Sequence, residues 1–194
     1  MRGHIIILGS SEGKAYAEKL QRLLLDRFRC MEMDYDCVLW SDPLVWENGG
    51  VTLTSLIKKA QELKREKGFA VALFTPDDTI KHRNNVQFCS RDNVWLEYGL
   101  FVGIMDISRV FAVCPCNPVK KASEEKNWRK PTDFQQYEMR YAYKDCIEDA
   151  EENLTIIATE IADRINLKFP RESRGGSSSL NIDPNSTPGF ERSY

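Results

Sequence analysis

The sequence predicts an α/β fold: a flavodoxin-like, doubly wound, five-stranded parallel sheet with helices on both faces. Three observations predict it. Short apolar runs alternate along the chain with longer stretches whose apolar residues recur at helical spacing. The short runs are continuous in their apolar character, as strands covered on both faces require. Strand and helix alternate in repetition, which means a parallel sheet with helices on both faces. At 194 residues the chain has room for one domain with a real core.

Each element can be read in turn. His4 to Leu8 is a β-branched run that stops at Gly9, a buried strand. After Gly9-Ser10-Ser11-Glu12-Gly13 a helix reaches about Phe28, with Leu20, Leu23, Leu24 and Phe28 at helical spacing. Cys37-Val38-Leu39-Trp40 is the second strand. Thr52 caps the next helix, where Leu53, Leu56, Ile57, Ala60 and Leu63 form one stripe, and Gly68 ends it. Phe69 to Phe74 is the third strand; Thr75-Pro76-Asp77-Asp78 is a turn, and a polar loop continues to about Ser90. A helix from Val94 to about Met105 opens on Arg91-Asp92-Asn93, and Val110 to Val113 is the fourth strand. Cys114 to Tyr143 is irregular, broken by Pro115, Pro118 and Pro131, with Met139 to Tyr143 available as a fifth strand. A last helix spans about Lys144 to Leu167, with Ile157, Ile161 and Ile165 on one side. Residues 1–169 therefore read as the domain. Residues 170–194, rich in Ser, Gly, Pro and Asn, read as a tail or linker.

Composition narrows the function. A net charge of −2 argues against nucleic acid or an anionic membrane surface as the main partner, since both call for a basic face. No apolar run approaches the length of a membrane span, and the N-terminus lacks the pattern of a secretory signal, so a cytoplasmic location is expected. The six cysteines and two histidines include only one close pair, Cys114 and Cys116. That is poor ligand spacing for zinc, so reduced thiols and no metal are expected.

In a doubly wound sheet, ligands bind at the carboxyl ends of the strands, where the strand order reverses. Three segments fall there. Gly9-Ser10-Ser11-Glu12-Gly13 lets the chain turn after the first strand and puts two hydroxyls at a helix N-terminus, which suits either an anion or a simple N-cap. Asp77 and Asp78 pair two acids after the third strand, as a wall of a site or as turn and cap residues. In the helix from Val94 to Met105, Glu97 is the only charged residue. A helix that is apolar all round is buried, and a carboxylate on it must be paired, protonated or facing a cavity. Glu97 is the leading catalytic candidate; the competing reading pairs it structurally with Arg91 or Arg109. Gly99 and Gly103 are expected to permit close packing or ligand approach. Of the four tryptophans, Trp40 and Trp46 flank the exit of the second strand and are the better candidates for stacking on a base.

In this order, Leu8-Gly9-Ser10-Ser11-Glu12-Gly13, Val38-Leu39-Trp40, Phe69 to Asp78 and Arg91 to Gly103 resemble the bacterial TIR-like predicted nucleotide-binding domains. These serve as effector domains of cyclic-nucleotide-triggered anti-phage systems, including the TIR domains fused to bacterial STING. The resemblance covers about residues 4–145, and the R-D-N-V-x-x-E-x-G-L-F block is its most specific part. It implies a TIR-like fold and NAD+ hydrolase activity, with Glu97 the catalytic carboxylate and NAD+ a substrate, no other cofactor being needed. Gly9, Ser10 and Ser11 would lie beside the dinucleotide, with Trp40, Trp46, Asp77, Asp78, Arg91 and Asn93 completing the binding set. It further implies activation by self-association into a homo-oligomer and a cyclic-nucleotide sensor domain or protein as partner. One departure stands out: where the family carries Pro-Ser-Asp-Leu-x-Gly, this chain has Pro131-Thr132-Asp133-Phe134-Gln135-Gln136. No sensor domain is legible after Pro170, so the chain reads as a stand-alone effector or as one part of a longer protein. Two other readings compete: a non-catalytic nucleotide-binding or TIR–TIR interaction module, and a nucleoside deoxyribosyltransferase-like enzyme.

Overall fold

A computed structural model describes residues 3–46, 52–82, 85–114, 129, 140–141 and 151–169. In chain order the elements are β1 (Gly3–Leu8), α1 (Lys14–Cys30), β2 (Tyr35–Leu39), α2 (Leu53–Arg65), β3 (Phe69–Leu73), β4 (Asp78–His82), β5 (Asn85–Cys89), α3 (Asp92–Met105), β6 (Val110–Cys114), β7 (Arg140–Tyr141) and α4 (Glu151–Lys168). Single 3-10 turns lie at Pro43–Val45 and Ile107–Arg109.

Five strands form one parallel sheet in the order β2-β1-β3-β6-β7. The strand order reverses between β1 and β3, as in a flavodoxin-like sheet. The pleat of β1 sends its residues alternately into two cores. Ile5 and Ile7 join α1 and α4 on one face, while Ile6 and Leu8 join α2 and α3 on the other. Because both faces are covered, β3 is buried at every position. The fifth strand is real but short, pairing Val113 with Arg140 and Cys114 with Tyr141.

The structure corrects the sequence reading in four places. First, the polar loop before Ser90 is an antiparallel hairpin, β4 with β5, in register from Asp78 opposite Cys89 to His82 opposite Asn85. Its alternating polar and apolar residues are a strand pattern, one that a partly exposed ribbon needs. Second, α3 is not buried all round. Val94, Glu97, Tyr98, Phe101 and Met105 face inward, whereas Leu96 is 58% exposed and Gly99 and Gly103 face outward. A side-chain carbon added at either glycine would meet nothing within 4 Å, so neither serves close packing. Third, α2 ends at Arg65, ahead of Gly68. Lys67 takes the left-handed conformation (φ 56°), and the Gly68 N–H reaches back to the Leu63 carbonyl at 2.7 Å, closing a Schellman turn. Gly68 is required for a different reason: a Cβ there would lie 2.7 Å from the His4 carbonyl oxygen. Fourth, Thr75 to Asp78 caps no helix, because β4 follows it directly.

Some expectations fall on residues outside those described: the last helix before Glu151, Trp128, the Pro131 to Gln136 stretch, Cys116, Cys146 and the tail from 170. Among the described residues the four cysteines Cys30, Cys37, Cys89 and Cys114 form no disulfide. No helix is long and apolar enough to cross a membrane.

Candidate functional site

The site grows from the carboxyl ends of β1 and β3, the two neighbours at the point of reversal. Ser10, directly beyond the β1 exit, is 6% exposed, and its Oγ accepts the Gly13 N–H at 3.1 Å. The same oxygen shares a 3.1 Å hydrogen bond with Thr75 Oγ1, which follows β3. This bond spans the reversal point and ties the two strand exits together. Ser10 thus holds the turn that leads into α1, whose own N-cap is Gly13. Ser11 is exposed and donates to Glu12 Oε2 at 2.9 Å. Gly13, more than Gly9, is the glycine of close approach. A Cβ at Gly13 would stand 3.0 Å from Thr75 Oγ1, whereas one at Gly9 would make ordinary 3.5 Å contacts with Leu73 and Trp40.

Beyond Thr75, Asp77 is half-buried, and its Oδ2 is buried with no hydrogen-bond partner among the described residues. Burial raises its carboxyl above the usual range, against the pull of hydrogen bonds to Ser10 and Thr75. Asp78 is exposed, opens β4, and lies 3.8 Å from Arg91 Nε. Arg91, just ahead of α3, also pairs with Glu12 at the start of α1. The N-terminal ends of α1 and α3 are therefore linked by an ion pair. Asn93 is exposed in the first turn of α3.

Glu97 follows Val94 by three residues and precedes Phe101 by four, so it shares their inward face. Trp95 and Tyr98, on either side of it in α3, pack on Phe74 with ring centroids at 4.0 and 5.6 Å. Phe74 directly follows β3, so this part of α3 is held at the ligand edge of the sheet. Glu97 is 8% exposed, and its Oε2 has no hydrogen-bond partner among the described residues. Burial alone pushes its carboxyl up to about 7. Neither arginine neutralises it in the way the structural reading required. Arg91 is turned to Glu12 and Asp78, while Arg109 donates to the Lys64 carbonyl at 3.0 Å and lies over the Phe169 ring.

The two tryptophans separate. Trp46 is 7% exposed, joins the core under α2 and α3, and donates its indole N–H to the Trp40 carbonyl at 2.6 Å. It is a core brace for the β2 exit, which corrects its reading as a stacking surface. Trp40 is half-buried beside Gly9. Sequence reasoning placed the segments that hold Glu12 and Thr75 here without choosing either residue, and it missed Ser90. Ser90 is 1% exposed, and its Oγ is a further buried atom without a partner among the described residues. Only the strand alternation across residues 78–89 could have drawn attention to it. Among the described residues no group of three or more His, Cys, Asp or Glu side chains is placed to hold a metal ion.

A near-neutral buried carboxylate can hold a proton or stabilise a developing cation. The family model for the TIR domain of CAP12/Pycsar effector proteins matches residues 5–135. Similar proteins include CD-NTase-associated protein 12 of Lachnospiraceae bacterium (strain RUG226), 32% identical over 113 residues, 58% of this chain and 32% of that protein. The protein of the same name from Flavobacterium daejeonense is 30% identical over 134 residues, 69% of this chain and 36% of its own. The Pycsar effector protein PaPycTIR of Pseudomonas aeruginosa is 37% identical over 59 residues, 30% of this chain and 19% of that protein. The match thus spans about a third or less of each relative's length. The matched segment runs from β1 past β6 and takes in Ser10, Asp77, Arg91 and Glu97: the chain belongs to the TIR-domain family of CAP12/Pycsar effector proteins.

Proposed function

We propose that this domain is an NAD+ hydrolase that cleaves the bond between nicotinamide and ribose, with Glu97 as the catalytic carboxylate. The observation that carries the proposal is the buried Glu97 Oε2, without a hydrogen-bond partner among the described residues at the ligand edge of the sheet. As the glycosidic bond breaks, its electron pair leaves with the nicotinamide nitrogen, and nicotinamide departs as a neutral molecule. Positive charge then grows on the ribose, where an ionised Glu97 stabilises it, as carboxylates do in glycoside hydrolysis. Water adds to the anomeric carbon and releases a proton, giving ADP-ribose. No strong general acid and no metal is needed. Gly9, Ser10, Ser11, Trp40, Asp77, Asp78, Arg91 and Asn93 line the region we assign to the dinucleotide, and Trp46 supports it from the core.

We assign activation to self-association, brought about by a cyclic-nucleotide sensor domain or protein during cytoplasmic anti-phage signalling. The outward face of α3 supports this assignment. Leu96 is 58% exposed, adjoins Glu97 in sequence and sits beside Gly99 and Gly103, an apolar face open to another protein. The test is to cluster the concentrated protein on a multivalent scaffold, add NAD+ and follow free nicotinamide. Release that appears only on clustering supports the proposal. NAD+ binding without release under any clustering would replace it with a binding module. Base exchange between free nucleosides would replace it with a deoxyribosyltransferase-like activity.

A further inference from the structure

Three side-chain oxygens near the start of α3 are buried without partners among the described residues: Asp77 Oδ2, Ser90 Oγ and Glu97 Oε2. Each such group is expensive to hold, because burial strips its water and nothing replaces it. Two of the three are related by the hairpin. The β4–β5 register ends with Asp78 opposite Cys89, so Asp77 and Ser90 are the next opposed positions, one at each root. Ser90 is fixed there by its neighbours in sequence: Cys89 closes the hairpin, and Arg91 begins the turn into α3. Asp77 is fixed from the other side by its backbone N–H, which donates to the Thr75 carbonyl at 2.9 Å.

We propose that Ser90, with Asp77 opposite it, recognises the vicinal hydroxyls of the substrate's ribose. The inference rests on the NAD+ reading above and adds a residue that this reading does not use. The chemistry selects the ligand class. A serine hydroxyl both donates and accepts, and a carboxylate oxygen accepts. A vicinal diol offers the matching hydroxyl donors and acceptors. A phosphate offers only acceptors and negative charge, next to the carboxyls of Asp77 and Glu97, so it is the poorer fit. Ribose hydroxyls therefore satisfy atoms that have no partner among the described residues, and the binding energy gained is specific to the sugar.

The experiment uses Ser90→Ala, a change that removes one oxygen and little volume. Without ligand, removing a hydroxyl that has no partner among the described residues breaks no bond in the fold, so the melting temperature should stay level or rise. A drop of several degrees would show a structural role and overturn the proposal. Binding is measured by calorimetry in a Glu97→Gln background, so that the substrate survives. NAD+ and an analogue lacking the 2′-hydroxyl on the nicotinamide ribose are the probes. The parent should favour NAD+, and Ser90→Ala should weaken NAD+ binding about 5- to 10-fold while eroding that preference. NAD+ binding within twofold of the parent would overturn the role of Ser90 and leave the NAD+ reading standing. A parent that binds no NAD+ would overturn both.

Discussion

Replacing Glu97 by Gln should make the protein more stable at alkaline pH, and the size of the effect follows from burial. Its carboxyl is moved from an ordinary 4.5 to about 7. The native state then binds more protons than the unfolded chain between these values, so native stability falls as pH rises through that window. At about 1.4 kcal/mol per pH unit, the full loss is about 3 kcal/mol, developed by pH 8. About 2.5 kcal/mol of it develops between pH 5 and pH 8. Glutamine cannot ionise and escapes this loss, while any cost of seating its amide is the same at both pH values and cancels. The assay is urea denaturation of parent and variant at pH 5 and pH 8. The stability difference, variant minus parent, should grow by about 2–2.5 kcal/mol across that range, or about 5–10 °C in Tm. A difference flat to within about 0.5 kcal/mol would mean that Glu97 is solvated or paired in the native state, and would refute the reasoning. A residue whose removal stabilises the fold while abolishing activity is one retained for function.

Further outcomes follow from the same geometry. Ser10→Ala removes the partner of both the Gly13 N–H and the Thr75 hydroxyl, and should cost about 1–2 kcal/mol in a denaturant titration. Gly68→Ala forces a carbon against the His4 carbonyl oxygen and the Leu63 side chain, costing about 1–3 kcal/mol and lowering Tm correspondingly. Leu96→Glu alters an exposed position and should leave stability within about 0.5 kcal/mol. It should also weaken clustering-dependent nicotinamide release, so unchanged release would remove α3's outer face from the contact between copies.

The parallel sheet was legible because each strand carries its own signal. β1, β3 and β6 are continuous apolar runs between turn residues, a pattern that burial on both faces demands. The helices α1 and α2 declared themselves by spacing. Glu97 stood out for the same reason, as one charge among apolar neighbours. The hairpin did not, because a solvated ribbon needs only weak alternation, and its polar residues read equally well as loop. The outer face of α3 was misread because Leu96 and its flanking glycines are apolar or small without being buried. Helix ends were also opaque. Lys67 and Glu32 adopt left-handed conformations (φ 56° and 52°) that composition assigns to glycine. Ser90 was legible only through the weak strand alternation of residues 78–89, since its burial and its place across from Asp77 follow from the pairing of β4 and β5.

The central claim is that Glu97 cuts NAD+, and one measurement addresses it most directly: the rate of nicotinamide release by clustered parent and clustered Glu97→Gln, across pH 5 to 9, at matched degree of assembly. The parent rate should rise with pH through about 7, the value to which burial moves this carboxyl, since the ionised form stabilises the oxocarbenium charge. The variant should be slower by about 10²- to 10³-fold and lose that inflection. A variant within tenfold of the parent, with the same pH profile, would contradict the account.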